Sequence, residues 1–408
     1  MTVRIAKQPV NIREKLSELE RPIGLKGSEL MRAETAQEAR ELVGAGRKNL
    51  IINGDMRISQ RYGFNNPQTV TNANDYYLDR FILRENTTGA FQVRQNSPVY
   101  PFDNAMQINV TTADASIDAG EYSRIQYYVE GNDARAVDWG KTNSKDHLTL
   151  SFWVKSNAPG DYHVNIENSD NSYFPVMVKK YTIEQSSVWQ KVVVTFPPPG
   201  VYNFHRGTGV GLRITWALAI GSAYTSATDG VWFTSSYQMS TSSQRNLMDT
   251  VGNDFYLTGV QLEVGKNATE FEHRSYGEEL ALCQRYFQTL NDTDTFNSSS
   301  GPYGSTANVG WQFTGSDGSL RVYLPVSMRT NPTATVIGTP TSSPGADGTI
   351  GTYGNAAWMP VNSIDAGETT KNSVRINVHN LNGSGKDAFG LYFYGSKTTS
   401  TVILNAEL

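Results

Sequence analysis

The chain of 408 residues holds a single cysteine, Cys283, so no disulfide can form within it and its stability must come from packing, assembly or bound ions. Long apolar runs are missing as well. The longest, Trp216 to Ile220, falls far short of the roughly 20 residues that a membrane-spanning helix requires. The opening segment, Met1 to Val10, has no apolar core of the kind that marks a secretory signal. A soluble protein made in the cytoplasm, with no membrane insertion, is therefore expected. Charge is scarce too: charged residues make up 18% of the chain, against about 25% in an ordinary soluble domain. With 35 Lys and Arg against 39 Asp and Glu, the net charge is −4. A basic nucleic-acid-binding arm or an acidic disordered tail would need dense like charge, so neither is expected, and no nucleic-acid partner is expected.

Signatures of catalysis are equally sparse. The five histidines, His147, His163, His205, His273 and His379, show no H-x-x-x-H spacing that would put two metal-ligating histidines on one helical face. There is no Walker A motif and no G-x-S-x-G elbow, and the glycine-rich piece Gly207 to Gly211 lies between strand-like segments with no helix to cradle a phosphate. Acids such as Asp75, Asp79, Asp103, Glu121, Glu130 and Asp133 are plentiful, but a glycosidase needs two carboxylates facing each other at about 5 to 9.5 Å, and sequence alone cannot pair them. No solenoid repeat of a β-helical spike is present. The expectation is a protein that is not an enzyme and that carries no cofactor or metal.

What is present is unevenly placed. Aromatic residues reach 11%, with 21 Tyr and 7 Trp. Charge concentrates at the N-terminus, where 17 of the first 48 residues are charged against 57 of the remaining 360. Within that arm Ile12, Leu16, Leu19 and Ile23 recur at steps of 4, 3 and 4, the seam of a short coiled coil, before Pro22 and Gly24 break the helix. A second helix is signalled by Ser28 as N-cap and by Gly44 and Gly46 as stops. Two heptads are too few to hold a lone helix in water, so residues 1–48 read as an arm ordered by copies of itself or by a partner, or as an amphipathic helix folded back on its own domain.

From residue 49 to 272 the period changes to two. Phe91 to Arg94, His147 to Lys155, Trp189 to Phe196, Gly211 to Leu218 and Asp254 to Glu263 are rich in β-branched and aromatic residues and are separated by Gly, Asn, Pro and Ser. Many strands with no intervening helices predict a mainly β protein with a two-sheet sandwich. In the second of these segments Leu148, Leu150, Phe152 and Val154 share one face and Trp153 lies on the other; the four apolar residues mark the inner face. A connecting helix is predicted within 273–290, capped by Ser275 with Glu278 and striped by Leu280, Cys283 and Phe287, which makes Cys283 a small buried hydrophobe. Residues 291–408 begin with a polar linker and continue as strands at Asn308 to Phe313, Ser319 to Pro325, Ala334 to Ile337, Ser373 to Val378, Gly390 to Tyr394 and Thr401 to Leu404, a second and smaller β-sandwich.

Three stretches, Asn49 to Arg61 (NLIINGDMRISQR), Ala136 to Lys155 (AVDWGKTNSKDHLTLSFWVK) and Phe255 to Phe287 (FYLTGVQLEVGKNATEFEHRSYGEELALCQRYF), resemble the core shared by phage tail-fibre and related virion structural proteins with a jelly-roll module. NLIINGDM and FYLTGVQLEVG are also similar to the boundaries of CenC-like carbohydrate-binding modules, and Gly27 to Gly44 is similar to the helical connectors that precede fibre modules. The resemblance implies a homotrimeric tail fibre assembled in the host cytoplasm. Its N-terminal arm would fasten to a tail adaptor or nozzle protein, and its β domains would bind a host-surface glycan during adsorption, with the C-terminal domain as the distal tip. A glycan-depolymerising tailspike and a head fibre or capsid decoration protein are the alternatives.

Sugars bind by stacking on aromatic rings beside amides and carboxylates. Trp153 and Trp189 lie in strands and are expected in the core or between sheets. Trp139, in the loop segment Asp138 to Gly140, falls in a framework match but is kept as a receptor-binding candidate. Tyr353 and Trp358, in a segment rich in Gly and Asn, read as loop residues that contact receptor or seal a trimer interface.

Overall fold

The computed structural model describes residues 48–96, 102–140, 144–168, 175–200, 202, 204–234, 238–290, 309–312, 317–341, 348–354, 357–359, 361–381, 388–394 and 401–408. The arm with Ile12, Leu16, Leu19 and Ile23 lies outside the described residues. By contacts the chain divides into Met1–Asn49 and Leu50–Leu408. The second unit is mainly β.

Two antiparallel sheets face each other in its larger part. One has six strands in the order Gln68–Val70, Ala90–Asn96, Ala105–Thr112, Asp254–Val264, Leu148–Ser156 and Gln190–Phe196. The other has seven, ordered Trp232–Phe233, Val176–Ile183, Gly160–Glu167, Val210–Ile220, Tyr122–Glu130, Phe81–Glu85 and Asn74–Leu78. Alternation decides which residues meet between them, since successive side chains on a strand point to opposite faces. Leu148, Leu150, Phe152 and Val154 are fully buried between the sheets, as their spacing predicts. From the facing sheet Trp216 meets Phe152 edge-on at 5.8 Å and Phe81 at 6.3 Å. Trp153 and Trp189 depart from the expectation of core positions. Both are half-buried, and Trp189 packs at 5.9 Å against Tyr256 beside Lys155 on the outer side of the six-stranded sheet.

The segments that carry the family resemblance are structural closures. In NLIINGDM, Asn53 takes φ of 60°, its side-chain amide donates to the carbonyls of Ile58 and Asp79, and its side-chain oxygen accepts from Ile58 N–H. Gly54 passes so close to the opposite chain that a Cβ would sit 2.1 Å from Val260 O, so only glycine fits there. Asn53 N–H also donates to Glu279 of the connecting helix, tying three distant segments together.

That helix, Tyr276–Gln284, is capped by Ser275, whose side chain accepts from Glu278 N–H at 3.3 Å. Cys283 is fully buried, and burial pushes its thiol pKa well up, so it is an inert packing group. The helical stripe predicted to reach Phe287 stops short: Arg285 caps the helix, and Phe287–Thr289 is a strand paired with Thr401–Asn405. Backbone pairing to the far end of the chain outweighs the local helical period.

Phe287–Thr289, Thr401–Asn405 and Thr333–Ile337 form a three-stranded sheet. It shares a core with a larger one ordered Thr339–Pro340, Thr349–Gly354, Ala388–Tyr394, Val309–Gln312, Asp317–Tyr323, Ser373–His379 and Ser363–Thr370, with Ala357–Met359 paired to Thr349–Gly354. This is the C-terminal lobe. Its last residues return to the larger sandwich through a buried charged joint. Arg80 pairs with Glu407, donates to Tyr128 O at 2.6 Å and lies 3.5 Å from the Tyr286 ring centre. Arg61 pairs with Asp79 and Glu407, while Arg329 donates to Ala406 O and Glu407 O. Arg285 and Tyr286 both donate to Glu130, whose pKa burial would raise, yet these hydrogen bonds, with that of Asn132, hold it below the ordinary range. Asp79 and Glu130, open as catalytic acids from sequence, are thus structural members of this joint.

Candidate functional surface on the C-terminal lobe

The strand Asp317–Tyr323 alternates. Gly318, Leu320 and Val322 point into the lobe's core, which leaves Asp317, Ser319, Arg321 and Tyr323 on the outward face. Register carries this face across the sheet. Asp317 pairs with His379, Ser319 with Asn377, Arg321 with Arg375 and Tyr323 with Ser373. Trp311 pairs with Ser319 on one side, and Asp365 with Asn377 on the other. Trp311, Ser319, Asn377 and Asp365 therefore form one rung across four strands, roughly 14 Å at a strand spacing of about 4.8 Å.

The polar groups of this face are already arranged. His379 bridges two carboxylates, Asp365 at 2.6 Å and Asp317 at 3.2 Å, and Asn377 donates to Asp365 at 2.8 Å. The bond to Asp365, then that to Asp317, raises the His379 pKa above the ordinary histidine range. Arg321 and Arg375 sit directly opposite each other, a like-charge pair that would be unfavourable alone. Glu368 reaches both, at 3.4 and 3.8 Å. The face is thus rich in hydrogen-bonding groups and close to balanced in charge. At two of its corners stand rings with no core to fill: Trp311 is 63% exposed and Tyr323 76%. Rings left in water beside fixed amides and carboxylates are the arrangement that stacks on a sugar's C–H face while bonding its hydroxyls.

Sequence reasoning placed Trp311 and Tyr323 in strands without singling them out. Of the residues it did single out, Tyr353 and Trp358 lie on strands Thr349–Gly354 and Ala357–Met359 and are direct cross-strand partners, in place of the expected loop. The β propensity of Thr349, Ile350 and Tyr353 outweighs their glycine neighbours there. Trp139 is only 1% exposed; its Nε1–H donates to Asp146 O at 2.7 Å, and its ring packs against Phe204 and Trp232. It offers no stacking plane of its own, though it lines a cavity of about 370 Å³ with Arg135, Val137, Gly140, Tyr202, Phe204 and Arg206. Among the described residues no cluster of three His, Cys, Asp or Glu is placed to hold a metal.

No protein-family model matches this chain, and no curated protein matches it. Among solved structures it is similar to the enzymatically active domain of tailspike protein 4 of bacteriophage CBA120, at 12% identity over 53% of this chain and 21% of that one, with a TM-score of 0.30. It is also similar to the family 11 carbohydrate-binding module of Clostridium thermocellum, at 13% identity over 51% and 98% with a TM-score of 0.25. A third is the CBM22-2 xylan-binding domain from Paenibacillus barcinonensis, at 15% over 45% and 91% with a TM-score of 0.26. The chain spans about a fifth of the tailspike chain that it matches. Likeness at this level identifies no relative, and the functional reading rests on the chain's own residues.

Proposed function

We propose that this chain is a non-enzymatic virion fibre subunit that holds a host-surface glycan on the outward face of its C-terminal lobe. The observation that carries the reading is the pair of exposed rings, Trp311 and Tyr323, set on one polar, charge-balanced sheet face. The resemblance of residues 49–61, 136–155 and 255–287 to tail-fibre cores supplies the setting. In this reading residues 1–48 fasten the chain to a tail adaptor, three copies assemble, and weak contacts are multiplied by valency. A glycan-cleaving spike is the second reading, favoured by the two carboxylates that flank His379. Both are engaged by that histidine, which leaves neither poised as a free base.

The test is a glycan array and solution titration with the full chain and with the variants Trp311→Ala and Tyr323→Ala. One stacking ring contributes about 0.5–1.5 kcal/mol, so each variant should lose roughly 2- to 13-fold in affinity for the same glycan, with the array pattern kept. Unchanged binding in both variants would remove the face from consideration. Shortening of host polysaccharide by the purified chain would favour the cleaving spike instead.

A further inference from the structure

The second aromatic site on the molecule differs from the first in charge. Two guanidinium groups, Arg135 and Arg206, line the cavity beside Trp139, and among the described residues no carboxylate lines it. Its backbone is tightly drawn. Gly140 takes φ of 92°, and a Cβ there would sit 2.3 Å from Tyr202 O, so the two loops that wall the cavity touch at their main chains. Arg206 is a strut. Its guanidinium donates to the carbonyls of Ala134, Val137 and Trp139, and its own carbonyl accepts from Arg135 Nε at 2.7 Å. Carbonyl dipoles satisfy donors but leave the positive charge in place. The Asp138 carboxylate accepts from the Ser144 hydroxyl and from the Asp146 N–H. Burial, the leading influence, pulls the Arg206 pKa down against the opposing pull of the Asp138 charge, and Arg135 adds to the depression.

Around these two guanidinium groups stand three rings of differing freedom. Trp139 is sealed in, whereas Phe204 and Tyr202 are half-exposed, and the Tyr202 hydroxyl makes no hydrogen bond among the described residues. The volume lies at the small end of ligand pockets, roughly 300–1,000 Å³. We infer that this cavity is a second glycan subsite that takes a sugar ring bearing a carboxylate. Tyr202 and Phe204 would meet the ring's apolar face, and Arg135 would pair with the carboxylate, a geometry for which guanidinium is suited. The inference rests on the glycan-binding reading and adds to it the substrate class: acidic polysaccharide, engaged here through charge and on the C-terminal face through stacking.

The test uses the full chain and a tetragalacturonate probe, compared with the same oligosaccharide after its carboxyl groups are reduced to alcohols. Binding is followed by titration calorimetry at low and high salt. The acidic probe should bind about tenfold more tightly than the reduced one and weaken with salt. Arg135→Gln and Tyr202→Ala should each lower its affinity about tenfold, while Trp311→Ala should leave it unchanged. Arg206 is spared because it props three carbonyls. Equal binding of both probes, no binding of the acidic probe, or wild-type affinity in both cavity variants overturns the inference. Each of these outcomes leaves the Trp311 result on neutral glycans standing. Conversely, loss of array binding in none of the Trp311 and Tyr323 variants sinks the C-terminal face while the acidic probe still reports on the cavity.

Discussion

The larger sandwich and the C-terminal lobe use their aromatic residues in opposite directions. The sandwich's core is rich in rings: Trp216, Phe81, Phe91, Phe152, Phe196, Tyr127, Tyr162 and Phe255 are all fully buried, while Trp153, Trp189, Tyr202 and Phe204 stay half-buried. The lobe's core includes Leu320, Val322, Ile350, Val374, Ile376, Val378, Phe389, Val402 and Leu404. Its Trp311 and Tyr323 face water. Stability and recognition are thereby drawn from one residue class in two places. A ring that fills a core cannot stack on a ligand, and a ring left exposed contributes little to folding. The high aromatic content of the sequence is an average over these two uses.

The sharpest way to break this contrast is to delete one ring from each region. Trp216→Ala removes a fully buried indole and should destabilise the protein by about 3–5 kcal/mol in urea denaturation. Trp311→Ala should stay within about 0.5 kcal/mol of wild type while affecting ligand binding. Comparable losses of stability from the two variants would mean that Trp311 has a packing role, and the division of labour would fail.

Next in size is the joint that couples the regions. Arg80 is buried among Glu407, Tyr127 and Tyr286, so Arg80→Met strands part of the Glu407 charge. Breaking a buried pair costs about 3–5 kcal/mol, and the lower end applies because Arg61 still pairs with Glu407. Limited proteolysis should then cut the lobe first while the sandwich stays protected. Simultaneous loss of both would show that the two regions fold as one cooperative body, with no weaker partner.

How much of this could be read from sequence depended on periodicity. Strands such as Leu148–Ser156 and Asp317–Tyr323 were legible because one face is buried, which forces alternation. Thr349–Gly354, Ala357–Met359 and Ser363–Thr370 were not, since Gly, Ala, Asp and Glu weaken the pattern and the pairing partner is what holds them. The binding face was illegible for a related reason. His379 finds Asp365 and Asp317 at separations of 14 and 62 residues, and such a rung exists only once register is set. The loop and motif of Trp139 mark a segment that does wall a cavity, but the half-exposed rings Tyr202 and Phe204 beside it carry no local signal.

The smallest effect separates the regions by sign. His163, in the sandwich, is fully buried and bonded to Gln244 and Thr241; burial, the leading influence, lowers its pKa despite Asp161 and Asp229 nearby. The folded state then holds fewer protons than the unfolded one, so the His163 contribution is present above the ordinary histidine range near pH 6.5 and is lost as pH falls below it. His379, in the lobe, behaves in reverse. Asp365 and Asp317 raise its pKa, so its contribution is complete below the ordinary range and is lost as pH rises through the raised value. Ring-proton NMR titration of the full chain, with His163→Gln and His379→Gln to assign the signals, should place His163 as the more acidic of the two. Stability of His163→Gln relative to wild type should improve on acidification, while His379→Gln should close its deficit on alkalinisation. Titration of the two rings in the opposite order would mean that the Asp317, His379, Asp365 rung is not formed, and the polar floor between Trp311 and Tyr323 would go with it.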